Sequence, residues 1–291
     1  MIARAGRRTL MFLAALLVVA ALWETYKAFG PDDGGSILGA RVVPKSNDRA
    51  MPHIWDMVVR LADPESTAAG SRPLWIAVTG YAWYTLRLAI GGLVLGSVIG
   101  IGLAVLMARF DVARRGLLPW VIMSQTVPLI ALAPQVVSWS GRFDIGGWEW
   151  PRWASVCVLA AFLAFFPVTV GTLRGLASPP AAALELMESC AATWWQTLRR
   201  LRFPAAISYI VPSLKLGATA SVIGVIVSEI STGIPGGIGR AVISYAQAAT
   251  SDPEKLYGAL FGAAALGLAL YGSIVALEMA LMRGRPQEGR S

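Results

Sequence analysis

From Thr85 to Met107 the chain reads TLRLAIGGLVLGSVIGIGLAVLM, an apolar run interrupted by one charge, Arg87, and long enough to cross a bilayer as a helix. Runs of this kind recur, and they restrict the chain more than any other feature. In lipid every backbone N–H and C=O needs a partner inside the protein, so a spanning segment is a helix or part of a closed barrel. These runs lack the strict two-residue alternation of barrel strands and are expected to be helical. With 56% hydrophobic and 14% charged residues, the 291-residue chain is too apolar for a pair of soluble domains. The expected fold class is all-α, a polytopic membrane helix bundle of about six transmembrane helices.

The first apolar run, Thr9 to Leu22, follows Arg4, Arg7 and Arg8. A Val19-x-Ala21 site gives it the look of a signal peptide, but a polytopic chain needs a first anchor, and an uncleaved span is expected. Residues 30 to 78 form a polar connection with a surface helix near Ile54 to Leu61 and the sole histidine, His53, expected to be solvated or interfacial. The second span, Tyr84 to Met107, carries Gly92, Gly96 and Gly100 at four-residue steps, a face for close helix packing in the bundle or at a dimer seam. The loop RFDVARR follows, and then a third span from Leu117 to Trp139. Trp153 to Leu176, Ile207 to Ile230 and Leu256 to Met282 complete the set. The chain divides into an N-terminal anchor and exterior connection (1–78), a transmembrane core (79–282) and a cytoplasmic tail (283–291).

Charge sets the orientation. Arg109, Arg114 and Arg115, then Arg174, Arg199, Arg200 and Arg202, and then Arg283, Arg285 and Arg290 fall on the same side as the N-terminal arginines if both termini are inside. The short exterior loops hold only Arg142, Arg152, Arg240 and Lys255. The formal net charge of +8 is thus a topological signal, and nucleic-acid binding is not expected.

Two stretches carry polar groups at membrane depth. The third span holds Pro119, Pro128 and Pro134 with Gln125 and Gln135, groups that belong against protein or water; they line a path or make helix-to-helix hydrogen bonds. In the fifth span Gly217, Ser221, Gly224 and Ser228 share one face, a stripe suited to a path or to helix packing. Lys215 and Glu229 are costly in lipid and should face the interior or an interface. Gln125, Gln135, Lys215, Ser221 and Ser228 are the candidate path-lining residues.

Between the fourth and fifth spans lies a polar insertion, Ser178 to Pro204. Ser178 before Pro179 and Pro180 suggests a capped helix start, followed by AAALELMESCA. Thr193 and Gln196 have capping-box spacing, so a second helix, WWQTLRRLR, begins there and is expected to end before Pro204. A cytoplasmic helix hairpin results, and an amphipathic pair on the membrane surface, anchored by Trp194 and Trp195, is the alternative.

This hairpin resembles the cytoplasmic loop of permeases of binding-protein-dependent ABC importers. Aligned on Pro204, that loop's glutamate falls at Glu185, its glycine at Ala191, its isoleucine at Leu201 and its leucine at Phe203; Leu186 and Met187 stand where the loop has two alanines. VPLIALAP, LKLGATASVIGVIVSE and GGIGRAV are similar to the nitrate, sulfonate and taurine branch, and ALELM with WWQTLRRLRFP to permeases for thiamine-pyrimidine precursors or riboflavin. The resemblance implies a type I importer permease in the bacterial inner membrane, with Glu185, Met187, Ala191 and Pro204 in contact with an ATPase. It also implies a homodimer in membrane lipid, ABC ATPase subunits that bind the ATP, and a periplasmic or lipid-anchored substrate-binding protein. The chain has no GxxxxGK[ST] pattern, so the ATPase is expected to be a separate chain and no cofactor is expected here. Cys157 and Cys190 offer neither a disulfide framework nor metal spacing, and no catalytic constellation stands out. A secondary transporter or channel is the competing function, though internal repeats and a buried acidic pair are not evident.

Overall fold

A computed structural model describes residues 2–37, 40–142, 144, 145 and 147–282. The basic tail expected at 283–291 lies outside the described residues. Long helices dominate: α1 (Ile2–Phe29), α3 (Leu74–Arg109), α6 (Arg152–Leu176), α9 (Phe203–Thr232) and α11 (Pro253–Met282). Five helical segments are long and apolar enough to span a membrane, and a sixth crossing is made if α4 (Asp111–Met123) and α5 (Leu129–Val137), bent 95° against each other, count as one broken span. The only strands among the described residues are two short ribbons, Gly35–Ile37 with Ala40–Val43 and Asp144–Ile145 with Trp148–Glu149, in the polar connections.

Contacts divide the chain into two compact units: residues 1–79 with 241–261, and residues 80–240 with 262–291. Residues 241–261 thus group with the N-terminal unit.

In the first unit the polar connection is tied down. Lys27 donates to Asp48 at 2.6 Å and to the Met51 carbonyl, and the Trp23 indole donates to the Pro52 carbonyl. Glu24 takes the N–H of Ile54, the first residue of α2 (Ile54–Arg60), and stands 2.7 Å from His53 Nδ1. His53, expected to be solvated or interfacial, has a carboxylate partner and stacks on Trp55. Arg60 forks onto Asp252 with contacts of 2.7 to 3.1 Å, and this carboxylate raises its pKa above the ordinary arginine range.

The second unit is built around α6, which is buried over more than half of its length. Helices approach it through glycines. A Cβ on Gly92 would lie 2.3 Å from the Ala160 methyl, one on Gly96 2.9 Å from the Ala161 carbonyl, and one on Gly100 2.8 Å from the Phe165 carbonyl. Hence the glycine stripe of α3 is a seam within the bundle. On the other side, Gly171 and Gly175 of α6 admit Ser213 and Ala206 of α9, while Gly224 of α9 admits Ala160.

Two local expectations are corrected. RFDVARR is not a loop: only Phe110 (φ −125°, ψ 115°) leaves the helical region, and Asp111 opens α4, where an acid complements the helix dipole. Phe203 is helical (φ −69°, ψ −44°), so the hairpin's second helix runs on into α9 instead of stopping at Pro204. A π turn, Leu198–Arg202, precedes the proline and gives its ring room that a regular helical turn would deny.

Candidate functional site

The hairpin begins where α6 ends. Ser178 does not cap the next helix; its hydroxyl donates back to the Gly175 carbonyl at 2.8 Å. Pro180 stands at the N-cap of α7 (Ala181–Ser189), where its missing N–H costs nothing. The helix closes in a Schellman turn, with Ala192 N–H donating to the Met187 carbonyl at 3.0 Å and Ala191 N–H to the Glu188 carbonyl at 2.8 Å. Such a turn needs a left-handed residue, and Ala191 fills that place at φ 51°, alone among the described non-glycine residues. Alanine tolerates this conformation at a cost of about 1–2 kcal/mol. The chain then re-enters helix through a complete capping box: Thr193 N–H donates to Gln196 Oε1 at 2.7 Å and Gln196 N–H to Thr193 Oγ1 at 3.4 Å.

The two ends of this element differ. At its tip Glu185, Leu186, Glu188 and Ala191 are exposed, Leu186 to 64%. At its base Leu198 joins Ala104 and Met107 of α3, Leu173 and Leu176 of α6, and Ala206 and Ile210 of α9 in one apolar cluster. Arg109, at the end of α3, lies 5.1 Å over the Trp194 ring. Leu184 and Met187 are half-buried, whereas Ala191 is in solvent. Pro204 sits in the first turn of α9, at the return of the hairpin.

The path candidates separate. Gln125 lies in the 3-10 turn between α4 and α5 and Gln135 on α5, and both are exposed. Ser221 and Ser228 are sealed: Ser221 donates to the Ala89 carbonyl of α3 and Ser228 to the Gly224 carbonyl, both fully buried. Their stripe is a packing face, because small side chains that return their hydroxyls to backbone carbonyls let helices close up. Lys215 does not stand open either; it pairs with Glu278 of α11 at 2.5 Å, both half-buried. The sequence signal for this partner was the acid at 278, late in the sixth span.

Glu229 shows the arrangement that sequence reasoning missed. Its carboxyl group is fully buried and accepts from the Thr85 hydroxyl at 2.9 Å and from the Gly239 N–H at 2.8 Å, while Ile238 N–H donates to Thr85 Oγ1. An acid from α9 thereby caps α10 (Ile238–Ala248). Gly237 and Gly239 are buried against it.

Residues 92–283 match the family described as binding-protein-dependent transport system inner membrane component. The chain belongs to this family. It is 32% identical over 204 residues to the formylaminopyrimidine transport permease protein ThiX of Halalkalibacterium halodurans, covering 70% of this chain and 77% of that one. It is 26% identical over 214 residues to the riboflavin transport system permease protein RibX of Chloroflexus aurantiacus, covering 72% and 75%. Over 283 residues it is 23% identical to the putative aliphatic sulfonates transport permease protein SsuC of Bacillus subtilis, covering 96% and 90%. A solved amino acid ABC transporter chain shares the fold, with a TM-score of 0.52 at 20% identity over 72% of this chain and 94% of that one. The protein is an ABC importer permease, a multi-pass inner-membrane component that acts with ATPase and substrate-binding partners and is not itself an enzyme.

Two predictions test the placement of this permease's parts. Cys190 is exposed in the hairpin and Cys157 is buried, so the native protein carries its own topology probe. A membrane-impermeant maleimide is expected to modify Cys190 in inside-out vesicles only, and a cysteine at Pro235 or Arg142 in right-side-out vesicles only; labelling of Cys190 from outside would reverse the orientation. For the ion pair, Glu278→Gln leaves the Lys215 ammonium without its anion about 18 Å along α9 from Phe203. The side chains keep 18% and 24% exposure, so the loss belongs at the low end of the about 3–5 kcal/mol that a broken buried pair costs. Lys215→Met with Glu278→Leu should recover most of the melting temperature, and equal melting of single and double variants would mean that the pair does not hold α9 to α11.

Proposed function

We propose that two copies of this permease enclose a path for a small organic solute, and that separate ATPase subunits, which bind the ATP, drive it by gripping the α7 hairpin. The observation that carries this reading is the contrast within the hairpin: an exposed tip holding Glu185 and Ala191, and a base embedded among the ends of α3, α6 and α9. A rigid element of that kind passes movement at its tip to three spanning helices at once. Met187 and Pro204 fix its pitch at the two ends of the lever. Gln125 and Gln135 are the path-lining groups in this reading. Exposed amides and a broken backbone at bilayer depth need water or protein beside them, and a second copy across a wet path supplies both.

The named cargoes of the relatives, a formylaminopyrimidine, riboflavin and aliphatic sulfonates, give the class of solute to test. Purified with its ATPase and binding protein in vesicles, the permease is expected to appear as two copies beside two ATPase subunits and to take up one of these solutes only when ATP is hydrolysed. A stable complex of one permease with one ATPase, or uptake without ATP, would refute the arrangement.

A further inference from the structure

Opposite the hairpin, at the far ends of α5, α6 and α9, a cleft of about 560 Å³ opens within the second unit. Arg142, Arg152, Ser138, Ser140, Ser231 and Thr232 line it, and among the described side chains none of its lining is acidic. Among the described residues neither guanidinium has an ion-pair partner. The Ser140 hydroxyl is buried and lacks a hydrogen bond.

This placement of charge opposes two tendencies. Exterior loops are poor in arginine, yet two of the few basic residues in the short exterior loops line one cleft. Arg152 is also the first residue of α6, where the positive end of the helix dipole disfavours a cation. Next to the cleft wall, Arg240 Nη1 reaches to 3.5 Å from where a Cβ of Gly233 would stand. Both guanidiniums are solvent-exposed at the cleft, and a bound anion there would pair them, meet the N-terminus of α6 and supply an acceptor for Ser140.

We propose that this cleft is an oxyanion-binding site at the exterior mouth of the permease, which holds the sulfonate, carboxylate or phosphate-ester group of the solute before it enters the path. The proposal rests on the reading that a solute path opens at this end. Its size suits a small solute, since sites for such molecules measure about 300–1,000 Å³. Planar guanidiniums give paired hydrogen bonds that a lysine ammonium cannot reproduce.

The test uses the full permease in maltoside micelles, with methanesulfonate as probe and dimethyl sulfone as its neutral counterpart. Methanesulfonate is expected to raise the melting temperature and the sulfone to leave it unchanged. Arg142→Gln and Arg152→Gln should each weaken methanesulfonate binding about tenfold, the usual effect of losing one charged hydrogen bond. Basal ATP hydrolysis of the complex should stay at the wild-type rate, which separates a failed anion site from a failed coupling hairpin. Equal responses to sulfonate and sulfone, or binding that survives both substitutions, would overturn the proposal. So would nanodiscs in which phosphatidylglycerol alone stabilises the protein and methanesulfonate does not, which would make the cleft a lipid headgroup site. Wild-type anion binding lost to neither agent but weakened docking of the binding protein in the arginine variants would assign the arginines to that partner and overturn the proposal as well.

Discussion

Gly237→Ala is expected to abolish stable, monodisperse permease. A Cβ at this position would stand 2.0 Å from Glu229 Oε1 and 2.1 Å from its carboxyl carbon, so the acid has to leave its place. Moving it breaks the hydrogen bonds from Thr85 and Gly239 and strands a fully buried carboxyl group. Overpacking costs about 1–3 kcal/mol and each buried polar group left without its hydrogen bond about 1–3, so together they take a large part of the about 5–15 kcal/mol that holds an ordinary domain. Thermal denaturation followed by size-exclusion fluorescence checks this. Glu229→Gln keeps the shape and one acceptor and should melt between the wild type and Glu229→Ala. Thr85→Val removes one hydroxyl but leaves both Glu229 and the Ile238 N–H short of a partner, and should resemble Glu229→Ala. Wild-type melting in Gly237→Ala would mean that the carboxyl is not held as described.

These residues also mark what could be read from the chain. The spanning helices were legible because apolar length and small-residue spacing are local signals: the predicted Trp153 to Leu176 lies one residue short of α6. The capping box at Thr193 and the surface helix at Ile54 were legible for the same reason. Ser221 and Ser228 left both readings open because a polar stripe looks alike whether it faces water or a neighbouring carbonyl, and only the position of α3 distinguishes them. Thr85 is separated from Glu229 by 144 residues, and nothing in the composition around it announces an acceptor. The continuity across Pro204 was missed because proline ordinarily ends a helix; a π turn escapes that rule by widening the backbone locally.

The hairpin shows how a departure from a sequence pattern can leave a conformation intact. Ala191 stands where the resembling loop has glycine, yet it adopts φ 51° and completes the same turn. Ala191→Gly should therefore stabilise the hairpin by up to about 1 kcal/mol, with uptake preserved. Ala191→Trp acts in the other direction. Because Ala191 is exposed, the added bulk does not crowd the helix pair; it projects from the tip that the ATPase is proposed to grip. Glu185 lies one and a half turns earlier on that tip, exposed on α7. Losing a charged contact whose partner stays buried costs about 2–5 kcal/mol, so Glu185→Ala should weaken ATPase association at least about thirtyfold. Both variants keep the apolar base, where Leu198 packs with Met107, Leu173 and Ile210; Glu185→Ala should melt like the wild type, and Ala191→Trp should be destabilised only by the strain of a bulky residue at φ 51°. The expected signature is a folded permease that has lost ATPase association, substrate-stimulated hydrolysis and uptake together, measured in reconstituted complexes. If Glu185→Ala with Ala191→Trp retains normal ATPase binding and normal uptake, the hairpin is an anchor on the membrane surface and movement reaches α3, α6 and α9 by another route.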